Sequence, residues 1–218
     1  MNNLTLIIGN KNYSSWSLRA WLLLKQFRIR FKEIRIPLFE TNTDALLAQY
    51  SPSKKVPVLD LDGLIVWDSL AIAETINERF LDGQGWPSQP NLRALGRSAV
   101  AEMHAGFGAV RAKMPMNCRR KVQGFKPDAA TQKDIDRLNE LLSELLDKSG
   151  GPFLLGKFSI ADAFYAPIAS RFATYGITVP KVVSQWIDEL NRLDSMQQWL
   201  NAARAESETI DVSEIADA

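Results

Sequence analysis

Leu4-Thr5-Leu6-Ile7-Ile8-Gly9-Asn10-Lys11-Asn12-Tyr13-Ser14-Ser15-Trp16-Ser17-Leu18-Arg19-Ala20-Trp21 is the stretch that decides the fold of this chain. The apolar run Leu4–Ile8 reads as a strand that Gly9-Asn10 stops. The chain restarts as a helix at about Ser17 and continues to Phe27, with Leu18, Trp21, Leu22 and Lys25 spaced by three and four. Ser14 and Ser15 therefore lie near a helix N-terminus. That end of a helix carries unpaired backbone N–H groups and roughly half a positive charge, so it attracts anions.

Outward from this loop, strand and helix patterns alternate until about residue 83. Glu33–Ile36 alternates charged and apolar residues as a half-buried strand does, and Pro37 ends it. Asp44–Tyr50 is a short helical stretch stopped by Ser51-Pro52. Val56–Leu61 and Leu64–Trp67 flank Asp62-Gly63, a strong two-residue hairpin pattern. Ser69–Phe80 then carries Ile72, Ala73, Ile76 and Phe80 on one helical face. The order β-α-β-α-β-β-α predicts parallel pairing first and an antiparallel hairpin after it, giving a mixed four-stranded sheet covered by helices.

Residues 83–91 are rich in Gly, Pro and Ser and read as a linker between a domain at 1–82 and a second at 92–218. In the second the strand patterns vanish, so the fold class is α/β followed by an all-α helical bundle. Leu92, Leu95, Ala99, Met103, Phe107, Val110 and Met114 recur every three or four residues, predicting one long helix ended by Pro115. A second helix is expected over Asp128–Lys148, broken by Gly150-Gly151-Pro152, a third from Ser159, and two more from about Pro180 and Ser195. The acidic tail from Ala205 onward reads as weakly ordered.

Composition narrows the function classes. With 26 basic and 25 acidic residues the net charge is +1, so neither a nucleic-acid partner nor a polybasic membrane anchor is expected. The longest apolar runs fall far short of the ~20 residues that span a bilayer. The N-terminus lacks a basic n-region, so no signal peptide is read. Cys118 is the single cysteine, which excludes an internal disulfide framework and fits a reducing cytoplasm. One His and one Cys make no structural zinc site, and no metal is expected.

Three further segments carry chemistry. Lys54-Lys55-Val56-Pro57-Val58-Leu59 sends a proline into a strand, where it cannot donate to the ladder. Either this is an edge strand, or a cis Val56–Pro57 peptide turns the Val56 backbone outward to pair with an extended ligand. Asp68-Ser69 joins the hairpin to the next helix. Ser69 is a good N-cap, and together with Asp68 it can also hold a ligand bearing both a carboxylate and an ammonium. Ser159-Ile160-Ala161-Asp162 is a capping box preceded by Phe158, and it reads as structural, so that loss of Asp162 harms folding more than chemistry. His104 reads as a packed or interfacial residue, and no catalytic role is read for it, Arg111 or Asn117. Cys118 beside Arg119-Arg120 reads as a spare thiol. The tryptophans lack the interleaved cations of a nucleic-acid stacking platform and read as core or cleft packing.

In conjunction, the Ser-Ser loop, Lys-Lys-Val-Pro, Asp-Ser, the Gly/Pro linker and the Ser-x-x-Asp of a helical half closely resemble the cytosolic glutathione transferases. Ser14-Ser15-Trp16-Ser17-Leu18-Arg19 looks like the loop of the serine-dependent, zeta-type branch. The resemblance runs from about residue 4 to 205. It implies a thioredoxin-like first domain that binds glutathione as cosubstrate, a helical second domain, and a homodimer. Ser14 matches the hydroxyl that hydrogen-bonds the glutathione sulfur, with Ser15 the alternate. Val56, before Pro57, matches the residue whose backbone pairs with the cysteinyl part. Lys54 or Lys55 lies where the family reaches the glycyl carboxylate, and Asp68 with Ser69 matches the pair that holds the γ-glutamyl end. The chain departs from the branch at Trp16, where the zeta-type isomerases usually have cysteine. It also has Asp68 where the family often has Glu or Gln.

The loop contains no cysteine, so a thiolate held there comes from the ligand. A free thiol has a pKa near 8.5, and moving it to about 6.5 needs roughly 2.7 kcal/mol of differential stabilisation. A hydroxyl donated to the charged sulfur contributes ~1.5–3 kcal/mol, and the helix terminus ~0.3–1 more. The sum suffices, whereas the helix end alone does not. The expected activity is attack of that thiolate on a small electrophile, with isomerisation, dehalogenation and peroxide reduction as uses of the same bound sulfur. A thioredoxin or glutaredoxin using its own cysteine is excluded, since the single cysteine, Cys118, lies far outside the loop in the sequence. A non-catalytic binding or dimerisation module of the same architecture is the competing class.

Overall fold

The computed structural model describes residues 3–217. Before residue 82 the chain runs β1 (Leu4–Ile8), α1 (Ser15–Gln26), β2 (Lys32–Arg35), α2 (Thr43–Leu47), β3 (Val58–Leu61), β4 (Leu64–Trp67) and α3 (Ser69–Phe80). The sheet order is β2-β1-β3-β4, with β1 parallel to β2 and antiparallel to β3. Successive residues of a strand point to opposite faces. Leu6 and Ile8 of β1 accordingly join the large core with α1 and α3, while Ile7 between them packs with Ile36, Leu47 and Val58 on the α2 side. The β3–β4 hairpin turns through Asp62 (φ 51°) and Gly63 (φ 90°), the double left-handed geometry that an Asp-Gly pair adopts at little cost.

The helical half comprises α4 (Pro90–Ala105), α5 (Gly108–Lys113), α6 (Ala129–Ser149), α7 (Ile160–Tyr175), α8 (Lys181–Arg192) and α9 (Asp194–Ala205). Helix α7 runs through its centre and packs on both α1 and α4, so it ties the sheet-bearing half to the bundle. Phe164, Ile168 and Phe172 on α7 are almost wholly buried, each contributing ~1.5–3 kcal/mol relative to exposure.

The start of α7 is the capping box expected from Ser159-x-x-Asp162. Asp162 is fully buried, and its carboxylate accepts from Ser159 N (2.9 Å), Ser159 Oγ (3.0 Å), Leu154 N (2.9 Å) and Trp186 Nε1 (2.9 Å). Burial pushes this carboxyl up to about 6, against the pull of those four donors.

The structure corrects five expectations. The long helix over 92–114 is two helices, because Gly106 is extended and Phe107 adopts φ 59°; Asp134 of α6 accepts from Ala109 N and Val110 N and so caps the restarted α5. Helix α1 begins at Ser15, two residues earlier than Ser17, because Ser14 is its N-cap. Strand β3 begins at Val58, beyond the cis Val56–Pro57 bond, so Pro57 does not interrupt a ladder. Asp68, not Ser69, is the N-cap of α3: it takes φ 74° and accepts from Leu70 N (2.8 Å). Finally, the tail beyond Ala205 is packed and hydrogen-bonded. Its acids pair with Arg35 and Arg120, and Arg119 donates to the Glu206 and Glu208 backbone carbonyls, cations supplied by distant parts of the chain.

Candidate active site: a hydroxyl loop over buried arginines

The β1–α1 loop is held from three sides. Asn10 Oδ1 accepts from Leu38 N (2.7 Å) and Gly9 N donates to Ser17 Oγ (3.1 Å), fixing the loop within its own domain. The Glu206 carboxylate accepts from Lys11 N (2.7 Å) and Asn12 N (3.0 Å), and Asn12 Nδ2 donates to Asn117 Oδ1 (3.0 Å). Tyr13 Oη donates to Glu214 (2.6 Å) and accepts from Arg119 (2.8 Å). The helical half and the tail therefore pin the loop that presents the two serines.

Ser14 and Ser15 line a cavity of about 500 Å³ together with Trp16, Lys54, Lys55 and Val56. A second cavity of about 550 Å³ shares Trp16, Lys55 and Val56 and reaches Pro57, Asp68 and Ser69. The two form one groove across the C-terminal end of β1 and the start of β3. The catalytic and ligand-holding candidates read from the sequence line it: the serine pair at one end, Val56-Pro57 in the middle, Asp68-Ser69 at the other, and Lys54 and Lys55 on the rim. The Val56–Pro57 peptide is cis, as one of the two readings of that segment expects.

The two ends differ in their bonding. Ser14 Oγ donates to Ser17 Oγ (2.7 Å) and accepts from Ser17 N (3.4 Å). Ser15 Oγ accepts from Arg171 Nη2 of α7 (3.2 Å). At the far end Ser69 Oγ accepts from Arg19 Nη1 (3.4 Å), while Asp68 Oδ2 stands 3.2 Å from His104 Nε2. His104 is thus neither free nor buried in the bundle core; it bridges α4 to the α3 cap.

Sequence reasoning considered Arg111 but missed Arg19 and Arg171 as cations beneath the groove. The Arg19 and Arg111 guanidinium groups lie 4.1 Å and 4.8 Å from the Trp16 ring centroid, with the His104 ring edge-on at 5.3 Å. Burial lowers the Arg19 guanidinium to about 9, with repulsion from Arg111 and Arg171 adding to it. Burial and then Arg111 lower Arg171 to about 10, and burial lowers Arg111 as well. A sequence cue existed for the deepest of them. Arg171 and Asp162 are the only charged residues in the sixteen of α7, and Asp162 is explained by its capping box. A cation left over in a buried helix marks a place where charge is used.

The architecture is that of a thioredoxin-like domain bearing the groove, followed by a helical bundle. Residues 13–79 match the glutathione S-transferase N-terminal domain, and residues 128–202 match the glutathione S-transferase C-terminal domain. These spans together occupy more than half of the chain, which belongs to the glutathione S-transferase family. A Caenorhabditis elegans protein named as a probable maleylacetoacetate isomerase is 29% identical over 163 residues, covering 72% of this chain and 75% of the relative. Glutathione S-transferase L1 of Arabidopsis thaliana is 23% identical over 191 residues, covering 83% and 75%. Among solved structures, a glutathione transferase homologue from Burkholderia gl BGR1, crystallised with bound glutathione, superposes with a TM-score of 0.73. It shares 23% identity, with 94% of this chain and 100% of that one covered, so the likeness is one of fold.

Proposed function

We propose that this protein is a glutathione transferase that binds glutathione in the groove, keeps its sulfur as thiolate at the Ser14-Ser15 loop, and directs it at a small electrophile. Membership of the family and the convergence of the separately read motifs on one groove support this reading. The observation that carries it is the pair of hydroxyls at the α1 N-terminus, open to the same groove that Val56, Asp68 and Ser69 line. In this reading Lys54 or Lys55 meets the glycyl carboxylate, and the Val56 backbone, presented by Pro57, pairs with the cysteinyl unit. Asp68 and Ser69 hold the γ-glutamyl ammonium and carboxylate. The thiol proton leaves to solvent. The thiolate forms an S–C bond with the electrophile, and the group displaced leaves with the electron pair of the bond that breaks.

The protein is further proposed to act as a cytoplasmic homodimer in detoxification, with glutathione-binding domain, linker and helical domain at residues 1–82, 83–91 and 92–218. Among the described residues no helix is long and apolar enough to cross a membrane. A second reading, glutathione-dependent cis–trans isomerisation, is favoured by the likeness to proteins named as maleylacetoacetate isomerases in Caenorhabditis elegans and Rattus norvegicus. Trp16, in place of the cysteine of that branch, weighs against it.

The test is retention on immobilised glutathione combined with turnover of a chlorinated aromatic, a hydroperoxide and a cis-enone in the presence of glutathione. Retention with conjugation is expected. Retention without turnover of any of the three supports the binding-module alternative, and absence of both contradicts the proposal.

A further inference from the structure

We propose that the chain beyond α9 is a strap that sets the serine loop from behind, with Glu206 and Glu214 as positioning residues for the reaction in the groove. The inference rests on the reading that glutathione occupies that groove. The strap itself lies outside the family match, whose C-terminal domain ends at residue 202.

The loop does not hold itself. Tyr13 N (3.2 Å) and Ser14 N (2.8 Å) both donate to Asn10 O, which turns the chain toward α1. The amides of Lys11 and Asn12 find no backbone acceptor among the described residues, although Asn12 is wholly buried. Glu206 supplies the acceptors: one carboxylate oxygen takes Lys11 N (2.7 Å) and the other Asn12 N (3.0 Å). Its side chain is 8% exposed, with Arg35 at 3.6 Å. A charged acceptor makes stronger bonds to backbone N–H groups than a neutral one, and exclusion of water strengthens them further.

Glu214 takes the next residue. Its Oε1 accepts from Tyr13 Oη (2.6 Å) and Asn117 Nδ2 (2.8 Å), while Arg120 stands 3.3 Å from its Oε2. The strap is anchored in turn, since Arg119 donates to the carbonyls of Glu206 and Glu208. Lys11, Asn12 and Tyr13 are thus each bonded to an acid of the strap, and Ser14 and Ser15 follow directly, lining the cavity. Val56, Asp68 and Ser69, which hold the rest of the tripeptide in the proposed placement, are bonded within the sheet-bearing half or to α4 and not to the strap. Loosening the strap therefore displaces the sulfur end of the site and leaves the other end in place. A displacement of about 1 Å at a positioned group is enough to cost up to ~100-fold in rate.

The experiment is a pH titration of the ultraviolet thiolate absorbance of glutathione bound to wild type, Glu206→Gln, Glu206→Asp, Glu214→Gln and Glu208→Gln, with calorimetry at pH 5 reporting affinity. Glu206→Gln keeps the shape but loses the charge and one of the two acceptors. It is expected to raise the bound-thiol midpoint by about one unit, a tenfold loss in the ratio of thiolate to thiol, and Glu214→Gln by less. Glu206→Asp keeps the charge and is expected to restore part of the shift. Glu208→Gln is the control: Glu208 pairs with Arg35 (2.7 Å) from the same strap, but its side chain holds no loop amide, so no shift is expected. At pH 5 the bound sulfur is protonated in every variant, and affinities within about twofold of wild type are expected. A fall in melting temperature with an unchanged midpoint makes Glu206 a structural residue and overturns the proposal while leaving the glutathione reading intact. An equal shift for Glu208→Gln does the same. Should Glu206→Gln fail to fold, hydrogen exchange of the wild-type Lys11 and Asn12 amides decides, together with Glu206→Asp and Glu214→Gln. Strong protection is expected, and exchange at the rate of an open loop overturns the proposal. Absence of glutathione binding by the wild type overturns the glutathione reading, and this inference with it.

Discussion

Two helices of this protein begin at a serine with a second polar residue three positions on, and they do opposite things. At α7 the Ser159 and Asp162 side chains close a box in which every oxygen of the acid faces a donor, and the whole is buried. At α1 the Ser14 and Ser17 side chains close a smaller cap, and the next residue, Ser15, is left with a cation behind it and a cavity before it. A satisfied polar network fixes structure; a network left one partner short, facing a groove, is available for a ligand.

The largest effect expected from this contrast is on stability, at α7. Asp162→Ala strands four donors in the core and is expected to cost ~3–5 kcal/mol, read as a fall in the denaturant midpoint with an unchanged slope. A loss no greater than that of Ser14→Ala breaks the contrast. Next is affinity at the other end of the groove. In the proposed placement Asp68 partners the γ-glutamyl ammonium, so Asp68→Ala is expected to weaken glutathione binding about tenfold by calorimetry, a loss of ~1.4 kcal/mol. Equal weakening by Asp68→Ala of glutathione and of a tripeptide lacking that ammonium contradicts the placement.

Ser14→Ala is expected to cost ~1 kcal/mol through its cap, a fall of about 2–4 °C in melting temperature by calorimetry. No change in melting temperature removes the reason for calling Ser14 a cap. The smallest effect concerns the protein's own thiol, which the fold treats in the reverse way to the ligand's. Burial pushes Cys118 up to about 11, and a raised thiol pKa means that the reactive anion is depleted at neutral pH. Iodoacetamide at neutral pH is therefore expected to leave Cys118 unlabelled until the protein is unfolded. Rapid labelling of the native protein contradicts that.

Legibility in the sequence followed the range of the interactions. The strand Leu4–Ile8, the Asp62-Gly63 turn and the Ser159–Asp162 box are local, and each was readable from neighbouring residues. The break at Gly106-Phe107 was not, because Met103, Phe107, Val110 and Met114 keep helical spacing across it; the cap that restarts α5 comes from Asp134, on another helix. The tail misled for the same reason. An acidic, polar stretch reads as solvated until its cations, Arg35, Arg119 and Arg120, are brought alongside by the fold. At the groove, Ser14, Ser15, Val56, Asp68 and Ser69 were singled out by type and order, whereas Arg19 was not, and Arg171 enters from a helix far along the chain.

The account stands on one property, a borrowed sulfur kept deprotonated at the mouth of α1. Its most direct test is the acid dissociation of glutathione in the wild-type complex, followed by thiolate absorbance from pH 5 to 10. A midpoint at about 6.5, some two units below the free thiol, is predicted. A midpoint at the value found in plain buffer, about 8.5, contradicts it.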